Sequence, residues 1–217
     1  MWALLWKDVL LELRTKERLS SLFVLAFLIV LVFVIALSPE QARHPAIAAA
    51  LMWVALLFAG MLSVQRAFLI EQERGCFLGL LLCPFPPGTL FVAKFLGNVL
   101  FLCLVEAVIV PLSLLLTNMP LSWNLLALPV VLFFGIIGFA ALGTLFSAMT
   151  VQIRAREVLL PVMLLPLLIP LLIAAVKVTD AVLMGEVWTG VWLRVLLAFD
   201  VIFVVTGWLM FAQVVQE

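Results

Sequence analysis

Ionisable side chains are scarce in this chain, and their scarcity excludes most soluble folds. Only 11% of the 217 residues are charged and 67% are hydrophobic, and the mean hydropathy is +1.37. A soluble domain is about half apolar and about a quarter charged, so this chain has more apolar surface than a soluble fold of its length can hide. The bilayer must be the solvent, and we expect an integral membrane protein.

Residues that usually form chemical sites are also rare. The chain has no tyrosine, one histidine and three cysteines. His44 stands beside Pro45 in a short predicted loop, where a solvated role is favoured over a haem or metal ligand. Cys76, Cys83 and Cys103 form no CxxC pair, so neither a zinc site nor a disulfide framework is indicated. We predict no catalytic residue, no metal site and no cofactor bound by this chain.

Two further absences limit the possible partners. No segment matches the phosphate-binding pattern GxxxxGK[ST], so any ATP that this protein uses must be bound by another chain. The formal net charge is zero, which gives no indication of nucleic-acid binding. Membrane lipid is the partner that the composition does imply.

Long apolar runs predict six transmembrane helices, because roughly 20 apolar residues cross the bilayer core. The predicted spans cover residues 19–37, 46–64, 95–116, 125–149, 158–176 and 191–215. The first run follows a charged start and is too long for the core of a cleavable signal peptide. We therefore expect one all-α membrane domain over residues 1–217.

The basic residues predict the orientation of these spans. Nine of the 12 basic residues fall on one predicted side of the membrane, namely Lys7, Arg14, Lys16, Arg18, Arg66, Arg74, Lys94, Arg154 and Arg156. The other side has Arg43, Lys177 and Arg194. By the positive-inside rule both termini are cytoplasmic, as an even number of spans also requires. The expected location is the bacterial inner membrane.

Residues 1–18 predict a second kind of helix. Apolar residues recur at helical spacing on one arc, and charged residues cover the opposite arc; the apolar set is Trp2, Leu5, Trp6, Val9, Leu10 and Leu13. Such a helix lies flat in the headgroup layer with its tryptophans at the interface. The alternative is a cytoplasmic extension of the first span.

The fifth span contains three prolines, at Pro161, Pro166 and Pro170. Each proline lacks a backbone donor and clashes with the preceding turn. We expect a kinked or broken helix whose freed carbonyls face protein or water. A static kink in a packed helix and a hinge in a transporter are both open.

The fourth span contains small residues instead. Its glycines are Gly135, Gly138 and Gly143, and a stripe of small residues recurs every fourth position at Ala140, Thr144 and Ala148. Small side chains allow close approach of helices in a membrane. We therefore expect close helix packing along this span.

Two acids lie within predicted spans. Glu106 falls in span 3 and Asp200 in span 6, and an acid at mid-membrane costs about 2.5–3.5 kcal/mol on insertion scales. Both should face the bundle interior, a partner or water, or be protonated. A pathway or coupling role competes with a packing role, and for Asp200 the packing role is favoured because Arg194 and the outer surface are within reach in some geometries.

The segment 65–94 between spans 2 and 3 is the most informative. It begins with a short charged helix that contains Glu71, Glu73 and Arg74, continues through Gly75 as a helix stop, and then has an apolar run and a proline turn that ends at Lys94. The alternating charges suit docking to a cytoplasmic protein, and an ordinary amphipathic loop is the alternative. The run 76–91 has too many prolines for a span and is expected at the cytoplasmic interface.

This segment resembles the coupling helix of ABC-2 type permeases. The resemblance rests on Glu71-x-Glu73-Arg74-Gly75, Leu80-Leu81-Leu82-x-Pro84 and Lys94, and the N-terminal helix resembles the elbow helix of that class. More narrowly, the chain resembles the CcmB family through residues 53–57, 154–161 and 165–173. Leu78 stands where many relatives carry an acid, which weakens any role for charge at that position.

The resemblance implies an ABC-2 type permease fold and a subunit that works with a separate CcmA-like ATPase. CcmC-like and CcmD-like membrane proteins complete the implied assembly, and the half-size chain implies a homodimer. The implied function is haem export, or release of a haem-loaded chaperone, in c-type cytochrome biogenesis. Haem is then a possible cargo and ATP is bound by the partner. A permease for another cargo (lipid, drug or polysaccharide) and a non-transporting scaffold are the competing functions.

Overall fold

The computed structural model describes residues 2–15, 17–68, 75, 87–118, 123–150, 153 and 156–214. Eight α-helices are described: α1 (Trp2–Thr15), α2 (Glu17–Ala36), α3 (Pro39–Ala42), α4 (Pro45–Gln65), α5 (Pro87–Leu116), α6 (Leu128–Thr150), α7 (Arg156–Met184) and α8 (Val191–Val214). A 3₁₀ turn, Trp123–Ala127, leads into α6. Six of these helices, α2 and α4 to α8, are long and apolar enough to cross a membrane, which confirms the predicted all-α membrane fold.

The turn between the first two spans is set by local chemistry. Ser38 caps the short helix α3, because its side chain accepts a hydrogen bond from the backbone N–H of Gln41. The Gln41 side chain accepts one from the Ser38 backbone in return, which completes a capping box. Pro45 then begins α4, where its fixed φ is already helical and its missing N–H costs nothing.

Two helices differ from the predicted spans. Helix α5 begins at Pro87, whereas residue 95 was the predicted start, because a proline in the first turn favours a helix there. Helix α7 extends from Arg156 to Met184 and so continues eight residues beyond the predicted end at 176. The helix is therefore longer than the roughly 20 residues that cross the bilayer core.

Helix α7 is also continuous through its three prolines, so of the two expected alternatives, kinked or broken, a break is wrong and a kink stays a prediction. Proline removes one hydrogen bond of the helix ladder, but within a bilayer no water competes for the remaining ones. The helix therefore persists through Pro161, Pro166 and Pro170. A hinge function for these residues stays a prediction.

Helix α4 lies at the centre of the bundle. It packs against α2, α5, α6 and α7, and most of its length is buried. By contrast, only a minority of the residues in the apolar windows of α2, α7 and α8 are buried within the chain, and lipid or another protein must cover the rest.

Glycines allow α6 to approach this centre closely. Gly135 lies against the ring of Trp53, and Gly143 lies against Val64, both on α4. The predicted small stripe of α6, Ala140, Thr144 and Ala148, is buried along its whole length. The expectation of close helix packing along this span is thus confirmed, as small residues at membrane interfaces allow.

Candidate functional site

A cluster of aromatic and aliphatic residues lies where α4 ends and α5 begins. This loop-flanking cluster consists of Ala67, Phe68, Leu90, Phe91, Leu145, Ala148 and Phe211. Phe211 on α8 stacks with Phe68 at 6.3 Å and tilts against Phe91 at 5.6 Å, measured between ring centroids. Gly207 provides the room that the ring of Phe91 needs. The cluster therefore joins both ends of the predicted coupling segment to the last span.

Of the predicted coupling residues, the structure describes only Gly75. Its φ is +64°, a left-handed conformation that glycine adopts without strain and that commonly ends a helix. It is exposed, and no atom of the described residues lies within 4 Å of the position that a Cβ would take. This geometry suits the expected helix stop, whereas Glu71, Glu73 and Arg74 lie outside the described residues.

Lys94 lies in the second turn of α5 and is a buried cation. Its side chain is only 5% exposed, and its Nζ donates to Oδ2 of Asp8 on α1 at 2.9 Å. The ammonium also lies 5.4 Å from the ring centroid of Phe68, within the range of a cation–π contact. The positive-inside rule treats Lys94 as a loop cation, so its burial could not be expected from charge placement.

The N-terminal helix α1 is a separate element, as the fold prediction required. Its Trp2 and Trp6 side chains are 77% and 60% exposed. Asp8, on the charged arc, points into the bundle and is 15% exposed, so this arc is not wholly turned to water. The salt bridge to Lys94 is the contact that no amphipathic pattern could reveal.

The two intramembrane acids are both buried, as expected. Glu106 is 7% exposed and Asp200 is 5% exposed. Asp200 points at the backbone of Gly138 and lies near Leu171 and Phe199. In the described part of the chain no hydrogen bond or ion pair joins the two acids, so they do not belong to one site.

Arg194 is not the partner of Asp200 in the described structure. The two residues are six positions apart on α8, which leaves their side chains about 120° apart around the helix axis, and Arg194 is exposed. Neither carboxylate oxygen of Asp200 has a well-formed hydrogen bond among the described residues. The packing role that assumed Arg194 therefore loses its support, and the carboxyl group is held in a space that Gly138 leaves open.

Two buried hydrogen bonds join helices that are far apart in sequence. Trp53 on α4 donates from Nε1 to Thr179 Oγ1 on α7, and Asn98 on α5 donates from Nδ2 to Thr144 Oγ1 on α6, both at 2.9 Å. Sequence reasoning missed both pairs, because the partners are 126 and 46 residues apart. A polar residue inside a predicted span is the only signal that could have marked them.

The prolines of α7 face away from the bundle. Pro166 and Pro170 are exposed and Pro161 is partly buried, and they lie among exposed apolar residues such as Val162 and Ile169, which are 62% and 54% exposed. Each proline leaves the carbonyl four residues earlier without its usual donor. The outward face of α7 thus combines apolar side chains with backbone acceptors that lack helical partners.

Six membrane-crossing helices, an amphipathic N-terminal helix and a packed junction around one inter-span segment define an all-α integral membrane permease. Comparison with known families gives the particular family. The profile described as CcmB protein matches residues 1–216, and the chain belongs to this family.

Individual relatives agree with this assignment. The chain is similar to heme exporter protein B of Pseudomonas aeruginosa, with 30% identity over 76% of this chain and 73% of the relative. It is 32% identical to heme exporter protein B of Rhodobacter capsulatus over 77% and 76% of the two chains. The protein of the same name from Bradyrhizobium diazoefficiens is 29% identical over 94% and 92%.

Proposed function

We propose that this chain is the permease subunit of an ABC transporter complex that serves haem export or haem-chaperone release in c-type cytochrome biogenesis. The observation that carries the proposal is the family match over residues 1–216 on a six-span fold. Relatives named heme exporter protein B support it. The chain resides in the bacterial inner membrane with both termini in the cytoplasm, as the distribution of its basic residues favours.

A partner ATPase docks on the segment between α4 and α5 and binds the ATP. Glu71, Glu73 and Arg74 form the charged contact, and Gly75 follows them with the left-handed conformation described above. The loop-flanking cluster supports this assignment, since it ties both ends of the segment to the bundle. Charge pairs at such an interface give specificity more reliably than affinity.

Charge reversal tests the docking site. The double variant Glu71→Lys/Glu73→Lys should lose most of the co-purifying ATPase while its amount in the membrane stays normal. Glu186→Lys is the matched control, because it reverses an exposed acid in the connection between α7 and α8. Equal ATPase recovery with both variants would reject the docking assignment.

The complex contains two copies of this chain, and α7 with α2 forms their interface. Backbone acceptors without donors are costly in lipid, so the proline face of α7 favours a protein neighbour. Helix α2 packs on the same central helix α4 and has exposed apolar residues, including Val32 at 59% and Ile35 at 75%. A cysteine at Ile169 should cross-link two copies, whereas a cysteine at Leu209, which is 58% exposed on α8, should not.

Haem is either the transported cargo or is bound to a chaperone that the complex releases. In both cases this chain does not ligate the haem iron. His44 is exposed at the start of α4, and Cys103 lies alone on α5. Purified chain with added haem should give no ligated-haem Soret band; a band that His44→Ala removes would make His44 the ligand.

Glu106 and Asp200 are proposed as intramembrane coupling positions, and Pro161, Pro166 and Pro170 as the bending element of α7. The carboxyl of Asp200 lies against Gly138 on α6, close to Leu171 on α7, so a relative movement of these helices changes its surroundings. Asp200→Leu should preserve the amount of protein in the membrane but reduce c-type cytochrome yield. Full yield would assign Asp200 to packing alone.

Purification with bound partners tests the function as a whole. The tagged chain, extracted gently from membranes, should co-purify with a CcmA-like ATPase and with CcmC-like and CcmD-like membrane proteins. Porphyrin absorbance in the complete complex but not in the isolated chain would agree with haem handled at a partner. Recovery of an ATPase together with a lipid, drug or polysaccharide, and without these partners, would indicate a permease for another cargo. Recovery without any ATPase would indicate a scaffold.

A further inference from the structure

Lys94 contacts two separate segments of the protein and is nearly inaccessible. Its ammonium is 2.9 Å from the Asp8 carboxylate on α1 and 5.4 Å from the centre of the Phe68 ring. Only 5% of its side chain is exposed, against 15% for Asp8. A buried cation needs such partners, since removal of one leaves an uncompensated buried charge.

Phe68 and Lys94 flank the segment 69–86, one on each side. Phe68 is the last described residue before the segment 69–86, and Lys94 lies in the second turn of the helix that follows it. A change in the distance between the ends of that segment therefore changes the Lys94–Phe68 contact. Because the same ammonium binds Asp8, the change reaches α1 without any intermediate residue.

Asp8 has a second cationic neighbour, Lys7, whose contact differs from that of Lys94. Lys7 also approaches Asp8, at 3.3 Å, but its side chain is 39% exposed. Exposed ion pairs contribute little because water screens them, whereas a buried pair resists separation. Because Lys7 lies on α1 beside Asp8, its contact cannot hold α1 on the bundle, whereas the contact with Lys94 joins α1 to α5.

We infer that Lys94, through Asp8 and Phe68, is the positioning residue that makes the N-terminal helix α1 move together with the coupling segment. The inference rests on the proposed function, in which a partner ATPase binds that segment. ATP-driven displacement of the segment shifts the start of α5, and the buried salt bridge carries α1 with it. Without the bridge, the ATPase still binds and turns over, but α1 stays behind.

Four variants in the complete complex test this role. Lys94→Met removes the charge and keeps an apolar stem, Asp8→Asn is the milder change, and Asp8→Lys/Lys94→Asp exchanges the charges. Lys7→Gln is the matched control, since it removes the exposed cation beside the same carboxylate. For each variant, the co-purified ATPase, its ATP turnover and the yield of c-type cytochromes are measured.

We expect Lys94→Met and Asp8→Asn to keep bound ATPase and its turnover but to lower cytochrome yield about tenfold, as a coupling energy of ordinary size implies. The exchanged pair should recover yield to within about threefold, because it restores opposite charges at the site. Lys7→Gln should match the unaltered protein. A loss in Lys94→Met that the exchanged pair does not recover would assign Lys94 to stability alone and overturn the inference.

A distance measurement separates positioning from mere structural support. Spin labels at Trp6→Cys on α1 and Val130→Cys on α6, both exposed, in a background without the native cysteines, report the movement of α1 when ATP is added. In the protein with the unaltered Lys94–Asp8 pair, ATP should change the distance between the two labels, and Lys94→Met should abolish this change. An equal shift in both proteins overturns the inference alone. A complex that binds no ATPase overturns both the inference and the proposed function. If the unaltered protein binds an active ATPase but shows no ATP-dependent change in the distance between the labels, the inference is overturned and the proposed function stands.

Discussion

The packing of Gly135 against Trp53 predicts that a single methyl group destabilises the bundle. A Cβ at Gly135 would overlap the indole ring and lie 2.8 Å from both Cζ2 and Cζ3 of Trp53. The ring cannot simply rotate away, because it is 3% exposed and its Nε1 is bound to Thr179. Gly135→Ala must therefore displace the ring and weaken that hydrogen bond.

The expected cost follows from these two effects. Overpacking of a tight core costs about 1–3 kcal/mol, and an interhelical hydrogen bond in a membrane contributes about 0.6 kcal/mol. We expect Gly135→Ala to lower the free energy of unfolding by about 2–3 kcal/mol, within the range of overpacked cores. The measurement is reversible SDS-induced unfolding of the purified chain in detergent micelles.

Two further variants make this reasoning refutable. Gly97→Ala on α5 is the control: no atom of the described part of the chain lies within 4 Å of its Cβ position, and alanine in a helix is favoured over glycine by about 0.5–1 kcal/mol. Trp53→Phe removes the clashing ring atoms, so Gly135→Ala should cost at least about 1 kcal/mol less in that background. Equal costs of Gly135→Ala in both backgrounds would show that this contact does not set the stability.

Three other predictions follow from the polar contacts and the charge distribution. Thr144→Val removes the acceptor of the Asn98 amide and should lower the free energy of unfolding by about 0.6–1.7 kcal/mol, measured as above. Ser147→Ala should cost less than Thr144→Val, because the Val64 carbonyl that Ser147 contacts also accepts a backbone N–H; the reverse order would contradict the structure. In whole cells, Gln72→Cys without the native cysteines should resist an impermeant thiol reagent, since the segment is predicted to be cytoplasmic; outside labelling would invert the topology.

The six spans could be predicted because the bilayer fixes the length of apolar helix that crosses it. The ends of the helices were less predictable, since hydropathy does not distinguish a span from a helix that continues beyond it. Helix α5 starts at Pro87 inside a stretch that its prolines assigned to the interface. Helix α7 continues through three prolines that a rule from soluble helices treats as breaks.

The polar contacts of the site could not be predicted from local pattern. The charge rule counted Lys94 as a loop cation, but its partner Asp8 is 86 residues away, and only the packing of α1 on α5 brings them together. Arg194 was assigned to Asp200 by nearness in sequence, although the helix turns them to different faces. By contrast, the burial of Glu106 and Asp200 was predictable, because lipid tolerates neither as an ion.

The yield of c-type cytochromes in a strain that lacks this chain tests the central claim most directly. Membrane proteins of the deletion strain, and of the same strain with the chain restored, are separated and stained for covalently bound haem during growth that does not need these cytochromes. We predict that all c-type bands disappear in the deletion strain and return on restoration, while growth continues. Normal c-type bands without this chain would contradict the proposed role in haem export and favour a permease for another cargo.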